Sequence, residues 1–211
     1  MIENQNNIED SERNRIINFA ESKFMIEGFY KISMDSIASE LRISKKTIYK
    51  YFPSKESLVE CISNRIMTDI SGKMESIINS DLSSLGKSLA LFEIIGNVTL
   101  KVTDKWVQDV QLHTPKLWEK IDEFRTNRAI SVLTNIVDQG KKEGVFIDKP
   151  TELMIMIFVS SVKSIVNPNY IYYQKFNFKE AFHHTFEILF NGMLTPKGKK
   201  EFNKIFKKVI K

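Results

Sequence analysis

The sequence predicts an all-α protein: a small N-terminal helical head followed by a larger helical body. Three observations carry this. Apolar residues recur at helical spacing in segment after segment. No run alternates strictly in polarity, and no Asn-Gly or Asp-Gly hairpin signal occurs, so strands are not expected. The 8 Gly and 5 Pro are few and fall mostly at segment ends.

Residues 1–10 are polar and are expected to fray. The first helix is expected over Ser11–Glu27, with Ile16, Ile17, Ala20 and Phe24 as its apolar stripe and Gly28 as its stop. Ser33 caps a short helix with Asp35 in its favourable first turn and Ile37, Ala38 and Leu41 on its buried side. Ser44 caps a third, very short helix through Tyr51. Pro53-Ser54 breaks and recaps the chain, and a long helix follows over Lys55–Ile78. Further helices are expected over Leu85–Val102, Asp104–Leu112, Pro115–Gly140, Thr151–Ile165 and Phe178–Met193. Thr114-Pro115 offers a capping hydroxyl and then Pro at the first helical position, where its missing N–H costs nothing. Gly140 and Gly144 are expected to end that helix. Pro168 is expected in a connecting loop, and Asn177 with Glu180 resembles a capping box. A final amphipathic helix is expected over Lys199–Ile210.

Composition narrows the function. With 42% apolar and 27% charged residues, this is a globular chain. Its one cysteine, Cys61, excludes an intrachain disulfide and suits a reducing compartment; on the fourth helix it reads as a small buried hydrophobe. The longest apolar run, Leu153–Val159, is far short of the roughly 20 residues a membrane span needs, and no signal peptide is expected. A cytoplasmic, nucleoid-associated protein is the expectation. His113, His183 and His184 have no Cys or carboxylate at ligand spacing, and no Gly-rich phosphate loop or Ser-His-Asp arrangement stands out. No enzyme, metal or cofactor is expected.

The net charge of +5 needs care before it is read as a nucleic-acid signal. Residues 196–211 carry seven Lys and one Glu, whereas residues 1–195 hold 24 basic and 25 acidic groups, net −1. The excess is in the tail, so any DNA signal must be local.

Such a signal lies in residues 33–58. Two short helices, Ser33–Leu41 and Ser44–Tyr51, are joined by about three residues, the spacing of a helix-turn-helix. Ala38 is small where the helices cross, Ile43 fills the turn, and Ile48 points back at the first helix. From Arg42 to Lys55 there are five basic residues (Arg42, Lys45, Lys46, Lys50, Lys55) and no acid. Ser44, Thr47, Tyr49 and Tyr51 are interleaved with them, and such groups reach both phosphates and base edges. The next helix begins at Ser54-Lys55, where free N–H groups suit a phosphate. Phe52 is expected in the core; Tyr49 is open between core and DNA.

These residues carry a family resemblance. Phe24-x₃-Gly28-Phe29/Tyr30, Ser33-x₃-Ile37-Ala38, and Ile43-Ser44-Lys45-Lys46-Thr47-Ile48-Tyr49-x-Tyr51-Phe52-x-Ser54-Lys55-Glu56-x-Leu58 resemble the DNA-binding domain of TetR-type (TetR/AcrR-like) transcriptional regulators over about residues 12–60. The resemblance implies a helix-turn-helix DNA-binding domain, 1–55, and a helical effector-binding and dimerisation domain, 56–211. It implies that Lys45, Lys46 and Thr47 approach base edges, that Tyr49 and Tyr51 touch backbone or bases, and that Ser33, Ser44 and Lys55 hold phosphates. It also implies repression of a near-palindromic operator and its release by an effector. Two positions depart from the family's habit: Arg42 stands where Gly is frequent, adding a possible phosphate contact, and Tyr51 stands where His is common.

The body carries no motif of its own. Its large side chains, Phe92, Ile95, Trp106, Leu112, Trp118, Phe124 and Phe158, are first of all core. If a pocket exists, Phe92, Trp106, Trp118, Phe124 and Phe158 are its candidate walls and Gln111 and His113 its polar contributors, for a small apolar or aromatic ligand. Helices apolar over much of their circumference must be covered on two sides, so residues 151–193 are expected to form a homodimer contact. The tail places Phe202, Ile205, Phe206 and Val209 on one face and lysines on the other; a helix packed on the body is expected, not membrane contact. The competing reading is an effector-independent DNA-organising or spatial-control protein on the same fold, with a protein or membrane partner.

Overall fold

The computed structural model of the chain describes residues 2–165 and 178–209. The helices are α1 (Ile2–Glu27), α2 (Met34–Leu41), α3 (Lys45–Tyr51), α4 (Lys55–Ile78), α5 (Ser84–Lys101), α6 (Asp104–His113), α7 (Pro115–Lys142), α8 (Thr151–Ile165), α9 (Phe178–Met193) and α10 (Pro196–Val209). No strand forms among the described residues; Phe146 and Leu194 make one isolated antiparallel bridge. Pro168 and Asn177 lie outside the described residues.

Three local expectations are corrected. Helix α1 starts at Ile2, so residues 2–10 extend the helix where fraying was expected. Gly140 does not end α7: a Cβ there would stand 2.0 Å from the Phe146 ring, so glycine admits a close packing contact inside the helix. The stop comes at Gly144, whose φ of +71° suits a residue without a Cβ. The Thr114 hydroxyl turns back to donate to the Val110 carbonyl at 3.0 Å, and so closes α6 and does not cap α7.

The chain divides into two compact units: Met1–Asp69 with Leu100–Asp122, and Ile70–Thr99 with Glu123–Lys211. The expected DNA-reading segment, 1–55, lies inside the first. Its core gathers Ile16, Ile17, Ala20 and Phe24 of α1, Ile37, Ala38 and Leu41 of α2, Ile48 of α3, and Leu58 and Ile62 of α4. From α6, Trp106 and Val110 complete it; Trp106 stacks on Phe24 at 6.2 Å and meets Phe29 edge-on at 5.5 Å. Each buried large side chain contributes about 1.5–3 kcal/mol.

The second unit is built around Leu85 and Leu89 of α5, Val132, Leu133, Ile136 and Val137 of α7, Met154, Ile155 and Phe158 of α8, and Phe186 and Phe190 of α9. Phe186 and Phe190 lie one turn apart and stack at 4.5 Å. The tail docks on this core: Phe202 is 1% exposed and packs on Phe190 at 5.7 Å. Main-chain bonds Ile147 N–H to Met193 O, 2.9 Å, and Thr195 N–H to Val145 O, 3.0 Å, fix the entry to α10. The side chains of Phe206 and Val209 lie outside the described residues.

Candidate nucleic-acid interface

Helix α3 is presented by two caps and one tight turn. The Ser33 hydroxyl accepts the Ser36 N–H at 3.0 Å and starts α2. Arg42 then ends α2 in the left-handed conformation, φ +55° and ψ +41°, the only non-glycine residue at positive φ among the described residues. Its N–H donates to the Ser39 carbonyl (3.1 Å), and that of Ile43 donates to the Ala38 carbonyl (3.0 Å), which closes the last turn of α2. The Ser44 hydroxyl accepts the Thr47 N–H at 3.0 Å and starts α3 two residues later. Ala38 and Ile48 are buried where the helices meet. Seven residues cannot hold a helix alone; packing and caps hold this one.

That architecture divides α3 by face. Ile48 faces the core, and Phe52 is buried just beyond. Arg42, Ser44, Lys45, Lys46, Tyr49 and Lys50 are exposed, and Thr47, Tyr51 and Lys55 are half-buried. Tyr49, left open by its sequence, keeps 45% of its surface exposed. An outward face carrying three lysines, two hydroxyls and a phenol can meet an anionic polymer and hydrogen-bond to its edges.

The structure also shows what engages these groups. Lys45 is paired with Asp35 of α2, and the hydrogen bond its ammonium donates to that carboxylate raises its pKa. Lys46 has no protein partner among the described residues. Lys50 stands over the Tyr51 ring at 5.4 Å. The Tyr51 hydroxyl donates to Glu12 of α1 at 3.2 Å, tying the end of α3 to the longest helix of this unit's head. Lys55 turns away from the free N–H groups of its own helix: its ammonium donates to the carbonyls of Phe29 (3.2 Å), Tyr30 (2.7 Å) and Ile32 (3.2 Å). Lys55 therefore clamps the α1–α2 loop. Ser33 and Ser44, expected at phosphates, spend their hydroxyls on caps but remain exposed.

Several contacts could not be found by spacing. Asp109 of α6 accepts the Tyr30 N–H at 2.8 Å, 79 positions away, and the same carboxylate leaves no room for a side chain at Gly28. His113 stacks flat on Tyr30 at 3.7 Å. The sequence held no signal for either pair, because both arise from where α6 lands.

The candidate pocket residues are distributed between the units. Trp106, Gln111, His113 and Trp118 belong to the first, where Trp106 is core and His113 is exposed. Phe92, Phe124 and Phe158 belong to the second, where Phe92 and Phe158 pack on Phe186 at 4.7 and 5.9 Å. His184 lies 3.9 Å from Glu187. The Cys61 sulfur is half-buried and accepts from Arg13 at 3.2 Å, so it is a little more polar than expected.

Comparison with known proteins agrees with this geometry. Residues 16–62 match the sequence model described as bacterial regulatory proteins, tetR family. The HTH-type transcriptional regulator YvaF of Bacillus subtilis is 21% identical over 165 residues, 78% of this chain and 86% of its own. The HTH-type transcriptional regulator UidR of Escherichia coli is 37% identical over 62 residues, 29% of this chain and 32% of its own. A transcriptional regulator from Saccharomonospora viridis, solved in complex with choline, shares the fold at a TM-score of 0.70 and 17% identity, over 88% of this chain and 99% of that one.

Proposed function

We propose that the chain is a transcriptional regulator of the TetR type and not an enzyme, a homodimeric repressor released from a near-palindromic operator by a small apolar or aromatic effector; the match of residues 16–62 to the tetR-family sequence model supports this reading. The observation that carries the reading is the outward face of α3: a rigidly capped helix with Lys46 and Tyr49 exposed and no acid from Arg42 to Lys55. Residues 1–55 would read DNA, and residues 56–211 would bind the effector and the second protomer.

Lys46, Thr47 and Tyr49 lie on the first turns of α3, so they approach base edges when the helix enters a major groove. Lys45 exchanges Asp35 for a phosphate, and Arg42 and Lys50 reach backbone on either side. The exposed hydroxyls of Ser33 and Ser44 can still donate to a phosphate while they cap. Tyr51 and Lys55 act from behind, holding α3 and its neighbouring loop in place.

Dimerisation through about 151–193 is supported by the face left uncovered. On α8, Met154, Ile155 and Phe158 are buried while Leu153, Met156 and Ile157 are exposed. On α9, Phe186 and Phe190 are buried while Ile188 is 70% exposed. Leu153, Ile157 and Ile188 line an apolar groove of about 290 Å³ with Leu189 and Met193. Apolar side chains of this size in one patch call for a partner. A two-fold dimer presents two α3 helices to half-sites about 34–36 Å apart or a multiple of it.

Release requires that the effector bind better to a dimer whose recognition helices are mis-spaced. Coupling of about 1–3 kcal/mol changes operator affinity roughly 5–150-fold. Phe92, Phe124 and Phe158 are the walls we favour, and the choline held by a structural neighbour supports a small-molecule site in this fold.

The double variant Lys46→Ala, Tyr49→Ala tests the DNA surface. Both side chains are exposed, so folding should be unchanged while operator binding is lost. Unaltered binding by a folded double variant would sink the assignment. Binding by the parent should also weaken steeply as salt rises, because phosphate contacts release counterions.

A further inference from the structure

Helix α2 carries two acids, Asp35 and Glu40, and α3 carries none. Glu40 is drawn away to Lys23 of α1. Asp35, in the first turn of α2, is exposed and pairs across the turn with the ammonium of Lys45, the first residue of α3. The pair spans ten positions of sequence. It sets a carboxylate beside the first turn of α3.

That position matters for the DNA reading proposed above, on which this inference rests. In a helix-turn-helix the N-terminal residues of the recognition helix contact base edges. DNA carries about one negative charge per 1.7 Å of its axis, so a carboxylate carried into the groove is repelled unless a donor meets it. In the free protein Lys45 is that donor. Once Lys45 turns to a phosphate, Asp35 needs another. Its backbone is held in place, because the Ser33 hydroxyl caps α2 on the Ser36 N–H, and a carboxylate is favoured at a helix N-terminus.

Base edges offer few such donors. An ionised carboxylate only accepts. In the major groove guanine shows two acceptors, and thymine an acceptor and a methyl group. Adenine shows a donor beside an acceptor. Cytosine shows its N4 amine and no acceptor of its own.

We propose that Asp35 is a specificity-determining residue: it accepts the N4 amine of one cytosine in each half-site of the operator, and on other sequences its charge opposes binding. Lys45 neutralises that charge in the free protein.

The test uses the full chain and a library of randomised duplex DNA. Sequencing of the bound fraction should give a two-fold-related site with one position per half-site at which cytosine is enriched. On duplexes that differ only there, fluorescence anisotropy should show cytosine bound roughly five- to a hundredfold tighter than thymine, the discrimination a good direct contact gives. Asp35→Asn keeps the shape and can bond adenine at both N6 and N7, so it should move the preference at that position to adenine. Asp35→Ala should level the four bases there and raise affinity for unrelated duplex several-fold at low salt. Thermal unfolding checks that each variant folds, and the isosteric Asn variant answers if the Ala variant does not.

Three results overturn the proposal while leaving α3 as the reading helix. One is a selected site without a cytosine-preferring position. Another is a set of preferences identical in the parent and both variants. The third is a uniform loss of affinity with preferences unchanged, which would make Asp35 only a brace for Lys45 and α2. A parent that selects no sequence, or a Lys46→Ala, Tyr49→Ala variant that selects the parent's site, would overturn the reading of α3 and this inference with it.

Discussion

Arg42→Gly probes the turn that presents α3, the proposed recognition helix. Arg42 sits at φ +55°, where its Cβ crowds the backbone; the left-handed conformation costs a non-glycine residue about 1–2 kcal/mol. Glycine removes that strain but adds about 0.5–1 kcal/mol of backbone freedom to the unfolded chain. The side chain itself is exposed and has no partner among the described residues, so no native contact is lost. The net expectation is stabilisation by about 0.5–1 kcal/mol. For a chain of this size that is roughly 1–4 °C in melting temperature. Urea unfolding at fixed protein concentration measures it, with Arg42→Ala as the control that keeps the Cβ and should change little. The same variant removes a cation from the face proposed to meet the operator. If Arg42 meets one phosphate, the slope of log affinity against log salt should fall by about 0.9. Destabilisation of Arg42→Gly relative to Arg42→Ala would refute the strain argument. An unchanged salt slope would remove Arg42 from the interface.

Two further predictions follow from the body. Ile188→Asp puts a charge on an apolar groove without touching the Phe186–Phe190 core, so the protein should stay folded but sediment as a monomer and bind a two-half-site operator far more weakly; a stable dimer would place the interface elsewhere. Glu143 supplies the pH prediction. Burial pushes its carboxyl up, but hydrogen bonds from Ser84 and Gln139 and the charge of Lys197 outweigh this and hold it below its usual 4.5. A depressed carboxylate contributes stability that is full above the usual value and is lost as pH falls through the native one. Parent and Glu143→Gln should therefore converge in melting temperature below pH 4.5, with the parent higher above it; parallel curves throughout would contradict the linkage.

Most helices, and the helix-turn-helix spacing near the N-terminus, are encoded locally in the order of residues. Caps, turns and helical spacing are local, so Ser33, Ser44 and Gly28 could be placed from the order of residues. The exposed face of α3, proposed to meet DNA, was legible for the same reason: a seven-residue helix with one buried isoleucine leaves little choice about which side chains face out. Charge was legible only after the tail was separated from the rest.

Tertiary structure decided which of those groups are already occupied. Lys45 and Lys50 stay on the exposed face, but Lys55 is drawn to three carbonyls of the α1–α2 loop and Tyr51 to Glu12, because folding brings distant chain to them. It placed α6 against the head, with Asp109 on the Tyr30 N–H and Trp106 in the core, a contact between segments almost eighty residues apart that no periodicity encodes. It also separated the aromatic candidates into two units and buried Lys87. Helical pattern states which face of a helix is apolar; what covers that face, and which polar groups are trapped beside it, depends on how the helices pack.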